Sequence, residues 1–213
     1  SFHVLPDLPS YHCFLFKTCA RVISFIMEIE NLSYPDAVRF LAKRANIPVP
    51  EDRESDGADR LRRRLLDLNR DAARYYYDTL QKPEGAAVQA YLDRRQIRRG
   101  VATRFGMGAA QDGWDYLLRA MTAKGYTKQE LLKAGLIVQN KSGGFYDKFR
   151  NRLILPVVAV RGDVVGFGSR VIAKSEPKYM NTRETPVYSK RRVLYGLTLA
   201  KKTKRHNIHL RAG

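Results

Sequence analysis

Arginine residues at short, regular spacings mark the later part of this sequence. Arg150 and Arg152 alternate along a predicted strand, and Arg170 ends the strand predicted to pair with it. Alternate residues of a strand share one face, so we expect Arg150 and Arg152 to project together. A guanidinium group binds phosphate oxygens through two parallel hydrogen bonds, and the pattern therefore predicts contacts to phosphates.

The loop after the second strand carries side chains of matching chemistry. Lys178 and Lys190 supply positive charge. Tyr179 offers a ring face for stacking, and Asn181 can bind a base edge or a sugar hydroxyl. Strand and loop together predict a groove for a nucleic-acid single strand or a nucleoside triphosphate. The alternative for residues 190–192 is a solvated loop, and for residues 201–205 we prefer a solvated helix end.

The net charge of the chain is concentrated in the same region. The 213 residues carry a formal charge of +18, and residues 150–213 contain 15 basic and 3 acidic side chains. A dense positive block on a folded domain is typical of a polyanion partner, most often nucleic acid. Solubility, or a chain whose missing part is acidic, is the alternative.

Composition and motifs exclude several other classes of protein. No apolar run approaches the ~18 residues of a membrane span, and no signal peptide is visible. Two cysteines exclude a disulfide scaffold and indicate a reducing compartment, so we expect a cytoplasmic protein without a membrane partner. The sequence contains no nucleophile–base pattern. Gly166 and Gly168 lie within a predicted strand, which excludes a dinucleotide-binding loop.

Hydrophobic periodicity predicts an α+β fold, with a helical part followed by a small mixed or antiparallel sheet. The predicted helices cover 22–29, a segment from about 33 to 47, 59–80, a segment after Pro83, a segment capped by Asp112, and a segment between Thr127 and Gly135. The predicted strands cover 137–139, 152–160 and 164–172.

Several strings of residues resemble bacterial-type DNA primases. The run from Tyr146 to Pro156 resembles the family's arginine-containing strand, and Pro177 to Pro186 is similar to its loop "PKYLNSPET". Lys190 and residues 194–197 follow at the family's spacing. Upstream, residues 91–95, 105–108 and Trp114 fit its helical part, and residues 1–4 and 12–14 resemble the last strands of its zinc ribbon. The resemblance covers nearly the whole chain.

The resemblance implies the synthesis of short RNA primers on single-stranded DNA. Its implied partners are single-stranded DNA, the RNA primer, nucleoside triphosphates and a replicative helicase, at a cytoplasmic replication fork. Residues that match the family's motifs would face template and nucleotide phosphates: Arg150, Arg152, Arg170, Lys178, Tyr179, Asn181, Lys190 and, on a less specific match, Arg104.

The chain departs from the family pattern at both ends. Cys13 matches the third ligand of the zinc ribbon, but Phe16 stands at the fourth and Cys19 is out of register. We therefore expect zinc in the intact family but not in this chain. At the other end, Ala212 replaces a glutamate of the Toprim subdomain, whose metal-binding acids (for Mg or Mn) would come later.

These departures predict a primase fragment that is inactive alone. The expected organisation is a degenerate zinc-ribbon part over 1–50, a linker over 51–59, the N-terminal subdomain of the catalytic core over 60–207, and the start of a Toprim subdomain over 208–213. The alternative is a stand-alone, non-catalytic nucleic-acid-binding module.

Overall fold

The computed structural model describes residues 2–5, 10–13, 18–30, 32, 34–47, 53–173, 176–191, 193, 195–196 and 199–200. Contacts divide the chain into two compact units, Ser1–Asp59 and Arg60–Gly213. Within the described ranges, no helix is both long and apolar enough to cross a membrane. The predicted Toprim start at 208–213 and the basic residues 201–205 lie outside the described residues.

The first unit combines a small antiparallel sheet with helices. Strands β1 (Phe2–Leu5), β2 (Ser10–Cys13) and β3 (Thr18–Arg21) lie in that order. Helices α1 (Val22–Glu30) and α2 (Tyr34–Ala45) follow, as the periodicity predicts.

Helix α3 (Arg53–Gln81) is the longest element of the chain. Its buried side chains recur at three- and four-residue steps: Leu65, Leu68, Ala72, Tyr76 and Leu80. The helix begins six residues before the predicted start at Asp59, so residues 53–58 are helical where a linker is expected.

The remaining elements of the second unit alternate helices with short strands. A 3-10 turn (Pro83–Gly85) precedes α4 (Ala86–Arg94) and α5 (Arg99–Arg104), and β4 (Gly108–Ala110) precedes α6 (Tyr116–Ala123) and α7 (Lys128–Lys133). A hairpin of β5 (Ile137–Gln139) and β6 (Phe145–Asp147) leads to β7 (Arg152–Val158), β8 (Val164–Val171) and β9 (Tyr179–Asn181).

The main sheet has the antiparallel order β4-β7-β8-β9 and is covered on both faces. Ile154 and Phe167 pack into a core with α3, α6 and α7. Leu153, on the other face, packs with α4 and α5. A Cβ added at Gly108 would lie 2.6 Å from the Cβ of Tyr76, so glycine allows α3 to lie directly on β4. The predicted α+β fold is confirmed.

Two local predictions differ from the structure. Helix α6 begins at Tyr116 after Asp115, not after Asp112, so Trp114 lies outside it. The carboxylate of Asp147 instead accepts the backbone N–H groups of Leu117 and Leu118 at 2.8 and 2.9 Å. By contrast, the capping box of Thr127 and Glu130 is present as predicted.

Candidate nucleic-acid interface

Arg150 lies just before β7 and stacks on aromatic rings. Its guanidinium carbon lies 4.1 Å from the centre of the Trp114 ring and 5.0 Å from that of Tyr146. Asn151 has a φ of 51°, so the alternation of the strand does not extend back to Arg150. The prediction that Arg150 and Arg152 project from one strand face is therefore wrong, because the left-handed residue between them turns the chain.

Arg152 is only 5% exposed and lies at the start of β7. Its Nη2 donates to the carbonyl of Pro177 at 2.8 Å, while its buried Nη1 has no partner among the described residues. Burial lowers the pKa of Arg152, and the nearby charge of Arg150 lowers it further. A buried guanidinium nitrogen without a partner favours binding of an additional acceptor.

Arg170 is held between two tyrosines on the other face of the sheet. It lies opposite Tyr179 in the β8–β9 register, and its guanidinium carbon is 5.4 Å from that ring and 5.3 Å from the ring of Tyr91. Lys178 lies over Tyr179 at 5.8 Å, and Arg95 over Tyr91 at 5.6 Å. Cations and aromatic rings therefore alternate along one surface, an arrangement that suits phosphates and bases together.

This surface lines an open cavity of about 650 Å³, named the basic cavity below. Among the residues that the structure describes, its charged lining consists of four basic side chains and one acid: Arg94, Arg95, Arg170, Lys178 and Glu176. Sequence reasoning missed two arginines at the end of α4, Arg94 in its last position and Arg95 directly after it. They follow an ordinary amphipathic helix, and the only available signal was the consecutive pair of arginines at its end.

Asn181 and Lys190 belong to a neighbouring group of polar and basic residues. Asn181 shares its strand face with Tyr179 and lies opposite Gly168, where an added Cβ would be 3.2 Å from the Asn181 Oδ1. The carbonyl of Asn181 accepts a 2.8 Å hydrogen bond from Nζ of Lys148. Burial lowers the pKa of Lys148 to about 8, and the charges of Arg183 and Lys190 act in the same direction. Lys148 is thus a further cation that the sequence reasoning did not select.

Arg104 stands apart from the other predicted residues. It is exposed at the end of α5 and lines a separate cavity of about 540 Å³, together with Arg70 and Arg74. The rings of Phe105 and Tyr195, which also line this cavity, are stacked with centroids 6.1 Å apart. None of the other predicted phosphate-binding residues lines it.

The zinc-ribbon remnant predicted over the first residues is described in its strand backbone only. The side chains of Cys13 and Cys19 and the whole of Phe16 lie outside the described part of the chain. In the backbone register, however, Cys13 lies opposite Thr18 and Cys19 lies opposite His12. The expectation that this chain holds no zinc therefore stays a prediction. Zinc needs four donors around one point.

The main sheet, covered on both faces, and the basic cavity beside it are typical of an α+β domain that binds a polyanion. Two family models match this chain: the N-terminal domain of the DNA primase catalytic core over residues 75–201, and the CHC2 zinc finger over residues 1–57. The chain belongs to the DNA primase family.

Curated relatives agree with this membership. The DNA primase of Clostridium acetobutylicum is 42% identical over 204 residues, which are 95% of this chain and 34% of that protein. The DNA primase of Escherichia coli K12 is 35% identical over 200 residues, 92% of this chain and 34% of that protein. The chain therefore spans about a third of the length of these relatives. These relatives do not favour the alternative prediction, a stand-alone, non-catalytic nucleic-acid-binding module.

Solved structures show the same fold. A DnaG primase catalytic domain bound to single-stranded DNA has a TM-score of 0.65 and 37% identity, covering 68% of this chain and 46% of that one. The RNA polymerase domain of the Mycobacterium tuberculosis primase, in complex with double-stranded DNA bearing a 6-nucleotide overhang, has a TM-score of 0.61 and 41% identity. It covers 65% of this chain and 44% of that one.

Proposed function

We propose that this chain is the part of a DNA primase that binds the single-stranded DNA template and nucleotide phosphates. The observation that carries the proposal is the alternation of cations and rings from Arg95 through Tyr91, Arg170 and Tyr179 to Lys178. Arginine and lysine neutralise phosphates, while the tyrosines offer rings to bases whatever their sequence. The similar catalytic domain bound to single-stranded DNA supports it.

The polarity of the basic cavity supports a polyanion rather than a small apolar ligand. Within the described lining, Glu176 is the one acidic residue against four basic ones. Like charges held this close repel one another, so a bound phosphate chain lowers the electrostatic energy of the folded protein.

Primer synthesis itself we assign to the whole protein, of which this chain matches about a third. That activity joins nucleoside triphosphates into an RNA primer at a Toprim metal site holding Mg or Mn, in the cytoplasm and together with a replicative helicase. We expect the 213-residue chain alone to make no primers. The test compares primer synthesis by this chain with synthesis by the chain continued through the downstream gene sequence. Primers made by the short chain would contradict the assignment.

Binding to single-stranded DNA is tested by neutralising the cations of the basic cavity. We expect Lys178→Gln and Arg170→Gln each to raise the dissociation constant for an oligo(dT) about tenfold, since a charge-assisted hydrogen bond contributes roughly 1.5–3 kcal/mol. Fluorescence anisotropy with a labelled oligonucleotide measures the change.

Lys141→Gln and Arg161→Gln are matched controls, because both residues are exposed in turns away from the basic cavity. If the controls weakened binding as much as Lys178→Gln, only net charge would matter and the proposed site would be refuted.

A further inference from the structure

We propose that a groove beside helix α3 is the docking site for a protein partner, which inserts an extended segment carrying a large apolar side chain next to a carboxylate. The groove is separate from the basic cavity, so the inference goes beyond the proposed function. It gives a role to the aromatic residues and arginines that surround Arg104.

Two adjacent cavities form this groove, named the α3 groove below. The larger one is the cavity of about 540 Å³ that Arg104 lines, and the smaller one has a volume of about 280 Å³. They share three lining residues: Arg70, Gly162 and Val164. The two cavities therefore form one continuous depression between α3 and the turn that joins β7 to β8.

The α3 groove and the basic cavity lie at opposite ends of the main sheet. Val158 and Val164, which line the groove, are paired at one end of the β7–β8 register. Val171, at the other end, lines the basic cavity. Val164 and Val171 are the first and last residues of β8, so roughly 23 Å of strand separates the two sites. A ligand of the α3 groove therefore does not compete for the groups of the basic cavity.

The interior of the α3 groove is apolar and aromatic. The rings of Phe105 and Tyr195 are stacked at 22°, with centroids 6.1 Å apart, and Tyr195 is 42% exposed. Further apolar residues line the larger cavity: Ala73, Pro156, Val158, Val164 and Leu199. A large apolar side chain of a partner would be removed from water here, as in the pockets that hold the anchor residues of protein interfaces.

Arginines follow the rim of the α3 groove. Arg63, Arg70 and Arg74 are exposed and occur at steps of seven and four residues, so they lie on one face of α3. From Arg63 to Arg74 the helix rises about 16 Å, which is the length of roughly five residues of extended chain. The groove is therefore long enough for a peptide segment, rather than for a single side chain.

The charges of the rim favour a peptide over a nucleic-acid strand. Two of the arginines already have carboxylate partners: Asp67 lies 2.8 Å from Arg70, and Asp78 lies 3.3 Å from Arg74. Asp163 also lines the smaller cavity. A strand of nucleic acid brings a phosphate with every nucleotide, and these carboxylates would repel it along the groove.

Arg104 is the cation that a carboxylate of the partner can reach. It is exposed at the end of α5, and among the residues that the structure describes no carboxylate lies within ion-pair distance of it. It lines the same cavity as Phe105 and Tyr195, so one short segment can bind the guanidinium and the rings together. The charged hydrogen bond would fix the register of the segment, and the apolar side chain would supply most of the affinity.

The test uses a fluorescein-labelled peptide with one phenylalanine between two aspartates, flanked by glycine and serine. We expect saturable binding to the 213-residue chain, measured by fluorescence anisotropy at physiological ionic strength. A control peptide with serine in place of the phenylalanine keeps the charge and should bind about tenfold or more weakly. Equal binding of both peptides, or no saturable binding up to about 1 mM, would overturn the proposal.

Variants locate the binding of the peptide. Arg104→Gln removes the cation and Tyr195→Ala removes an exposed ring, so we expect each to weaken peptide binding about fivefold or more. Circular dichroism checks that both fold. Arg119→Gln is the matched control, because Arg119 is an exposed arginine of α6 that lines neither cavity. Equal effects of Arg104→Gln and Arg119→Gln would mean that only net charge attracts the peptide, and would overturn the proposal.

Two competition experiments distinguish a protein partner from the other occupants of the α3 groove. Oligo(dT) should leave the peptide bound, and Lys178→Gln should weaken oligo(dT) without changing the affinity for the peptide. Displacement of the peptide by oligo(dT) would place the groove on the path of the nucleic acid and overturn the proposal. Loss of peptide binding in the chain continued through the downstream gene sequence would also overturn it, because the rest of the protein would then cover the groove.

Discussion

The guanidinium of Arg152 is buried, and its nitrogen atoms do not all have hydrogen-bond partners among the described residues. Burial removes water from the group, and only Nη2 has a protein acceptor within the described structure, in Pro177. A buried cation without full hydrogen bonding destabilises the folded chain. Such an arrangement is understandable when a phosphate provides the remaining acceptor, because binding then recovers the lost hydrogen bond.

We predict that Arg152→Met separates binding from stability. The dissociation constant for oligo(dT) should rise about tenfold, through the loss of a charge-assisted bond. The free energy of unfolding should change by no more than about 1 kcal/mol, because an apolar side chain of similar size replaces an incompletely paired charge. Urea denaturation and anisotropy measure the two quantities.

Arg161→Met, in the exposed turn between β7 and β8, is the control for removing one arginine. Unchanged DNA affinity together with a large loss of stability in Arg152→Met would show that this arginine is only structural.

Helix α6 shows how one element depends on another that is distant in sequence. Asp147 of β6 caps the first turn of α6 with two hydrogen bonds. Burial of this carboxyl raises its pKa to about 6; the two N–H donors oppose the shift, the carboxylate of Asp115 adds to it, and Arg150 opposes it.

The raised pKa predicts how stability changes with pH. The folded protein binds a proton at Asp147 more tightly than the unfolded chain, whose aspartates have a pKa near 3.9. Asp147 therefore contributes stability below pH 4 that is lost as the pH rises through about 6, a change of order 2 kcal/mol. Asp147→Asn should flatten this part of the profile, measured by urea denaturation from pH 4 to 7.

Asp163→Asn, in the exposed turn before β8, provides the comparison. If Asp147→Asn and Asp163→Asn gave the same pH profile as the unmodified protein, the assignment of this titration to Asp147 would be wrong.

The small sheet of the first unit makes a prediction about zinc. Because Phe16 stands where the family's zinc ribbon has its fourth ligand, we expect the purified protein to retain well below one zinc per chain after dialysis, measured by atomic emission. Stoichiometric zinc that is lost in Cys13→Ser would contradict the expectation.

At the scale of the whole molecule, the concentration of charge determines how binding responds to salt. We expect the logarithm of the association constant for oligo(dT) to fall with the logarithm of salt concentration, with a slope of about −3 to −4. This corresponds to roughly four to six neutralised phosphates on a single strand. Titrations between 50 and 300 mM salt, about the range where binding is measurable, give the slope.

Lys178→Gln should reduce the magnitude of this slope by roughly 0.7, whereas Lys141→Gln should leave it unchanged. A slope near zero would mean that the positive block does not contact phosphates, and would remove the basis of the proposed function.

Local sequence patterns determined those parts of this protein whose causes are local. The apolar stripe of α3, the capping box of Thr127 and Glu130, and the pairing of β7 with β8 each depend on residues close together in the chain. The grouping of Arg170, Lys178 and Tyr179 is local as well, because it depends on two paired strands that are close together in the chain.

Only the tertiary structure decided which distant residues meet. It brought Tyr91 of α4 and Arg95, just after that helix, to the surface of Arg170. It placed Trp114 beside Arg150, and it separated Arg104 from both groups. The φ of Asn151, which ended the expected strand alternation, is equally invisible in a residue pattern. Helix packing against the two faces of a sheet sets these distances, and such packing depends on the whole core rather than on neighbouring residues.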